Sequence, residues 1–295
     1  MGIRIRCLPG RGSSTGPFDF DLTLNYLLTA PSDDGSGIIG ILTVAKALTK
    51  FRLNNAVRFA FWSAEEFGLL GSYHYVKSIN GSETELAKVR AYLNFDMVRP
   101  TFFFTPGPFP LSPHHRSNTP QIASPNYVYA IYDGDGSAFN LTGPAGSAHI
   151  ETAFESFFKT HNTPSVPTEF SGRSDYAAFI ENGIPSGGLF TGAEVLKTEE
   201  EAKLFGGEAG VAYDVNYHKK GDDVHNLAMD AYLLNTKAIA DAVAGYAVSW
   251  EGIPKPEGLQ RRWDADRARM LKRSGGSHGH AGHSHDGPCG GGVSA

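Results

Sequence analysis

Apolar residues recur along the middle of the chain at two alternating periods, and that alternation is the first structural signal. Residues 36–50 (SGIIGILTVAKALTK) space their apolar positions three and four apart, as a helix with one buried face requires. Residues 57–62 (VRFAFW) form a short apolar run ending at a charged turn, the signature of a strand. The same patterns predict a helix over 67–78, strands over 89–95 (VRAYLNF) and 127–132 (YVYAIY), and a helix over 148–160. A short buried strand over 187–190 and a long helix over 230–250 follow, and a charged, solvated helix is expected over 259–273. Strands alternating with helices imply an α/β fold: one three-layer domain with a mostly parallel central sheet and helices on both faces.

Three segments stand outside this pattern. Residues 1–30 show little periodicity. Residues 99–123, with their proline and phenylalanine content, suit neither helix nor strand, and a structureless run of that length is uncommon inside a compact domain. Beyond residue 275, glycines and alternating histidines cannot build a core. The expected organisation is an N-terminal segment (1–30), a catalytic domain (31–252) with an irregular insert at 99–123, and a charged helix with a Gly/His-rich tail (253–295).

Composition narrows the chemistry. With 41% hydrophobic and 12% aromatic residues, a chain of 295 residues can bury a sizeable core. The balance of 26 basic against 31 acidic residues supplies no basic stripe, which argues against nucleic acid as a partner. Cys7 and Cys289 lie near opposite ends, so neither a disulfide framework nor a thiolate metal site is indicated; a metal must be held by carboxylate and imidazole. No apolar run approaches the roughly 20 residues of a membrane span. Residues 1–16 lack the apolar stretch of a signal peptide. The sequons at Asn80 and Asn140 are compatible with secretion.

Sheets of this kind gather functional groups at the carboxyl ends of their strands. Glu65 and Glu66 follow the strand ending at Trp62, and Asp96 ends the strand that begins at Val89. Asp33 opens the first helix, and Tyr217 and His218 sit in a polar loop before the last one. Taken singly, each has an ordinary explanation: a turn and helix cap, charges favoured at a helix N-terminus, or a polar side chain that simply faces water. Their order and shared position at strand ends are harder to explain that way. Oxygen and imidazole ligands hold zinc, an open position admits water, and a neighbouring carboxylate takes the proton. Adjacent glutamates can divide the labour, one ligating and one acting as general base.

Six motifs then fall in order: DDGSG at 33–37, VRFAFWSAEEFGLLGSYHYV at 57–76, YLNFDMV at 92–98, GRSDYAAF at 172–179, GIPSGGLFTGAE at 183–194 and NYHKKGDDVHNL at 216–227. Together they resemble the zinc aminopeptidases of the M28 type, a group of bacterial secreted enzymes and fungal secreted or vacuolar ones. The resemblance implies two zinc ions. Asp33 would bridge them, Glu66 and His218 would ligate one, and Asp96 the other. Glu65 would be the general base, Tyr217 would stabilise the oxyanion, and Arg173, Phe190, Thr191 and Gly192 would face the substrate. It also implies a monomer, secreted or vacuolar, acting on peptides with a free N-terminus, with neither nucleic acid nor membrane as partner.

Departures from the family pattern are as specific as the matches. The family carries a His-x-Asp segment upstream of the bridging aspartate, whereas the first histidine here is His74. One metal position is thus left with Asp33 and Asp96 alone. The usual Ser-Asp-His reads Ser174-Asp175-Tyr176. Joining Val98 to Ser124 would restore the family's continuation, so residues 1–30 and 99–123 are expected to be products of misassigned exons, and the sheet to lack its first strands. Two alternatives accompany the peptidase reading. A single-zinc glutaminyl cyclase could use Asp33, Glu66 and His218, and a binding module could have lost catalysis.

Overall fold

A computed structural model describes residues 2–6, 34–96 and 123–254. The expectations for Asp33, for the insert up to residue 122, for the helix over 259–273 and for the tail lie outside the described residues.

The chain runs β1 (Gly2–Arg6), α1 (Gly35–Leu48), β2 (Ala56–Ala60), α2 (Leu70–Asn80), α3 (Glu83–Leu86), β3 (Val89–Phe95), β4 (Ala130–Tyr132), α4 (Ser147–Thr160), β5 (Val166–Thr168), α5 (Tyr176–Ile180), β6 (Ser186–Phe190), α6 (Glu199–Phe205) and α7 (Met229–Val248). Among the described residues six strands form one sheet in the order β2-β1-β3-β6-β4-β5. β3 and β6 are its two central members, and all seven residues of β3 are buried. From Ala91 onward strand parity divides them. Ala91, Leu93 and Phe95 enter one apolar cluster with Ile41 of α1, Phe154 of α4 and Ile239 of α7, whereas Tyr92 enters a second cluster with Val76 of α2 and Phe179 of α5. Helices therefore cover both faces, and the α/β three-layer expectation holds.

The sheet is mixed rather than mostly parallel. β3 pairs with β6 and β4 with β5 in parallel, but β6 runs antiparallel to β4, and β1 runs antiparallel to both β2 and β3. β1 lies within the segment whose periodicity was too short to read. Its GIRIR alternates apolar and charged residues, the period of a strand, before a glycine-rich stretch hides the signal. The strand expected over 127–132 narrows to three residues. Upstream, the Asn126 amide donates instead to the carbonyl of Tyr213 beyond α6 (2.9 Å), and the Val128 amide to that of Thr191 just after β6 (3.2 Å).

Two close approaches fix the centre. Tyr92 stacks on Phe179 with centroids 3.7 Å apart and planes 7° from parallel, seating α5 against β3. Beside them β6 carries Gly187 and Gly188. A Cβ on Gly188, whose φ is +153°, would lie 1.9 Å from the Asn94 carbonyl oxygen of β3. Gly188→Ala is expected to cost about 2–4 kcal/mol, combining a disallowed φ with backbone overlap. A chemical-denaturation midpoint within error of the unaltered protein would contradict this account of the β3–β6 contact.

The turn between β4 and α4 is closed by carboxylates. Asp133 accepts from the amides of Gly136 (3.0 Å), Ala138 (3.1 Å) and Phe139 (2.8 Å), and Glu151 of α4 accepts from Gly134 (2.9 Å) and Asp135 (3.0 Å). Burial lifts the Glu151 carboxyl to about 7. Its folded pKa lies above its unfolded one, so between about pH 4.5 and 7 the folded state holds more protons, and this group's contribution to stability falls as pH rises through that window. Glu151→Gln keeps one acceptor oxygen and removes the charge. Its stability-versus-pH curve is expected to be flatter than the parent's across that window, and parallel curves would count against the assignment.

Candidate active site

The carboxyl ends of β3 and β6 lie side by side, because Phe95 pairs with Leu189 in parallel register. Asp96 therefore leaves the sheet level with Phe190. Asp96 is buried (8% exposed), and its Oδ2 accepts a short hydrogen bond from the Ser174 hydroxyl. The Asn94 side chain donates to the same hydroxyl at 2.9 Å. Asn94 and Asp96, two residues apart on one strand face, are thus tied to the turn before α5, with Ser174 as the link.

The first helix is brought to the same place. A Cβ on Gly37 would lie 2.3 Å from the Phe95 carbonyl oxygen, so only glycine lets the amino end of α1 sit against the end of β3. This accounts structurally for the second glycine of the DDGSG motif. Asp34 begins α1, its carbonyl accepting from the Ile38 amide at 3.0 Å.

Glu65 and Glu66 occupy a tight turn between β2 and α2. The amides of Gly68 (2.9 Å) and Leu69 (2.8 Å) both donate to the Glu65 carbonyl, and Gly71 donates to Ser63 (3.1 Å). Ala64 and Leu69, which flank the pair, each have φ of +58°, a left-handed conformation that side chains disfavour. The strain turns the glutamates in different directions. Glu65 is half-buried, whereas Glu66 is exposed and meets His218, whose Nε2 lies 2.9 Å from Glu66 Oε1. His218 is itself left-handed, at φ +53°, and Tyr217 stacks on its ring with centroids 3.9 Å apart.

The loop carrying Tyr217 and His218 is anchored from below. Asp214 is almost fully buried (2% exposed) and accepts from the Asn216 amide at 2.6 Å and from the Asn226 side chain at 3.2 Å. The Asn216 side chain donates to Asn226 at 2.7 Å.

Electrostatics single out Glu65. Burial, then the charges of Asp96, Glu66 and Asp175, push its carboxyl up to about 10. Burial and Asp96 also raise Asp175. Four carboxyl groups thus crowd one end of the sheet, and each ionisation opposes the next.

The expected site residues separate into groups. Glu66, His218 and Tyr217 are in contact, Glu65 feels Asp96 and Glu66 through charge, and Arg173 adjoins the Ser174 that bonds Asp96. Phe190, Thr191 and Gly192 are buried at the end of β6, where Ser124 bonds Thr191 Oγ1 at 3.0 Å and donates to the Gly192 carbonyl. Among the described residues, the group of three carboxylates drawn within 4.8 Å of one another is Asp133, Asp135 and Glu151, and its oxygens serve the backbone of their own turn. Ser174, Asn94 and Asp175 went unnoticed in the sequence as parts of the site. The i, i+2 pairing of Asn94 with Asp96 on a strand was the available signal.

With this geometry in view, the comparisons with known proteins agree. The model of peptidase family M28 matches residues 28–108 and 117–243. A probable leucine aminopeptidase 2 of Aspergillus fumigatus is 60% identical over 223 residues, which are 76% of this chain and 39% of that protein. Leucine aminopeptidase 2 of Trichophyton rubrum is 55% identical over 250 residues, 84% of this chain and 45% of that protein. The chain therefore spans less than half the length of these relatives. In fold it resembles BSAP, a zinc aminopeptidase from Bacillus subtilis, with a TM-score of 0.51 and 20% identity over 79% of this chain and 47% of that one. Since the family match runs unbroken through the glutamate pair and again through the histidine that meets it, the chain belongs to peptidase family M28.

Proposed function

We propose that this chain carries the hydrolytic centre of a zinc-dependent aminopeptidase that releases N-terminal residues from peptides. The observation that supports it most is the contact of Glu66 with His218 at 2.9 Å, beside a half-buried Glu65. An imidazole and a carboxylate aimed at one point are a zinc donor pair. The crowding that lifts Glu65 to about 10 is excess negative charge that a divalent cation would offset. Both features suit zinc: Glu66 and His218 would hold one ion, Asp96 would serve a second, and Asp33, outside the described residues, would bridge the two. Zinc, when bound, supplies a Lewis acid and lowers the pKa of water.

The chain's own residues do the rest. Once a cation offsets the crowding and its carboxyl is ionised, Glu65 would take a proton from a nucleophilic water and return it to the leaving amine. The Tyr217 hydroxyl, on a ring held by stacking against His218, would donate to the oxyanion. A free substrate amine would be drawn to the carboxylates of Glu65 and Asp96, which accounts for attack at N-termini alone. Arg173, Phe190, Thr191 and Gly192 would shape the substrate side, and the names of the relatives make leucine the first residue to try. The second metal position, with two aspartates and no histidine, is the weaker one. A monomeric domain spanning 31–252, secreted or vacuolar, completes the reading. Relatives named as aminopeptidases favour hydrolysis over the cyclase alternative.

Purified protein, with the histidine-rich tail removed, is expected to bind at least one zinc per chain and to hydrolyse leucine p-nitroanilide. His218→Ala should lower the zinc content measured by atomic absorption, and an unchanged content would remove His218 from the ligand set. Glu65→Gln should retain zinc while kcat falls about 10²–10⁴-fold, the range of general-base loss. A kcat within threefold of the parent would remove Glu65 from that role.

A further inference from the structure

The tyrosine of the 172–179 motif is placed to do something specific. Tyr176 opens α5, is fully buried, and directs its hydroxyl back over the preceding turn. That oxygen accepts from the Gly172 amide at 2.9 Å and the Arg173 amide at 3.4 Å, and it lies 3.3 Å from the Ser171 hydroxyl. Gly172 has φ of +79°, so the turn is a sharp reversal. Burial pushes the phenol up to about 12, keeping it neutral, with its oxygen available to both amides. One hydroxyl therefore gathers three consecutive residues, 171–173.

The ring beneath that hydroxyl is held as firmly. It packs against Phe170 at 5.0 Å and Tyr132 of β4 at 4.9 Å. The next residues in the turn meet the catalytic carboxylates: Ser174 bonds Asp96, and Asp175 adds its charge to Glu65. Arg173 lies between the amide that Tyr176 holds and the serine that Asp96 holds. Its backbone is pinned on both sides, so the direction of its guanidinium depends on both.

We infer that Tyr176 is a positioning residue, its phenol oxygen clamping the Gly172–Arg173 backbone so that Arg173 is presented to the substrate of the site. The inference rests on the aminopeptidase reading for what Arg173 recognises, but the clamp is a property of the turn alone. Tyr176→Phe removes the acceptor and keeps the ring.

In Tyr176→Phe, the Gly172 and Arg173 amides should exchange with deuterium about tenfold faster, the effect of losing one hydrogen bond's protection. Zinc content should not change. Calorimetric binding of free leucine, which needs no turnover, should weaken by about fivefold to tenfold, as should binding by Arg173→Ala. Ser171→Ala, which spares both amide bonds, should leave exchange and affinity near the parent's. Unchanged exchange in Tyr176→Phe overturns the clamp. Faster exchange with unchanged leucine affinity overturns the positioning role, and the Arg173→Ala measurement then shows whether clamp or arginine was misassigned. If the unaltered protein binds no leucine, the aminopeptidase reading fails instead, and the exchange rates still decide the clamp.

Discussion

Crowded negative charge at one end of a sheet is the constraint on which the rest of this structure depends. Glu65, Glu66, Asp96 and Asp175 repel one another, and two of them lose solvent as well, which is why the Glu65 carboxyl is driven up to about 10. Such an arrangement is held only if the surrounding elements leave it no way to relax. β3 supplies that rigidity. All of its residues are buried, one face locked under α1, α4 and α7 and the other under α2 and α5, so Asp96 cannot move away from the glutamates. The glycines serve the same end: Gly188 brings β6 against Asn94, and Gly37 brings α1 against Phe95.

The sequence made the framework legible where periodicity and burial coincide. The strand over 89–95 matches β3 at both ends, and the long helices α1, α4 and α7 fall within two residues of expectation, because each has one apolar face or two. Short elements escaped. β5 has three residues and α5 five, too few for a period to register. α6 could have been found, since Thr198 and Glu201 form a reciprocal capping box with Thr-x-x-Glu spacing. β1 was obscured by its neighbours, and it enters the sheet between β2 and β3, antiparallel to both.

The site was legible in a different way. The glutamate pair and the histidine were found because motif order brought them together, and the fold joins them across 152 residues of sequence. What escaped were residues that act on other residues. Ser174 and Asn94 carry no chemistry that gives them a role in a sequence, and Tyr176 was visible there only as a departure from a motif, since all three residue types are common in turns and cores. They become meaningful only when Asp96 and the Arg173 backbone are seen to be their partners.

The Glu66–His218 contact admits a structural explanation, an ion pair that helps to hold two loops together, and magnitudes weigh against it. The side chains are 55% and 42% exposed, and a pair so open to solvent contributes at most about 1 kcal/mol. Reaching that geometry places Ala64, Leu69 and His218 in the left-handed region, where each non-glycine residue costs about 1–2 kcal/mol. The strain exceeds what the pair returns, even if His218 is discounted because histidine tolerates this region better than alanine or leucine. Two strained turns that converge on a weak, exposed contact are poor as a device for stability. They are well suited to presenting an oxygen and a nitrogen to a third, positively charged group that binds both.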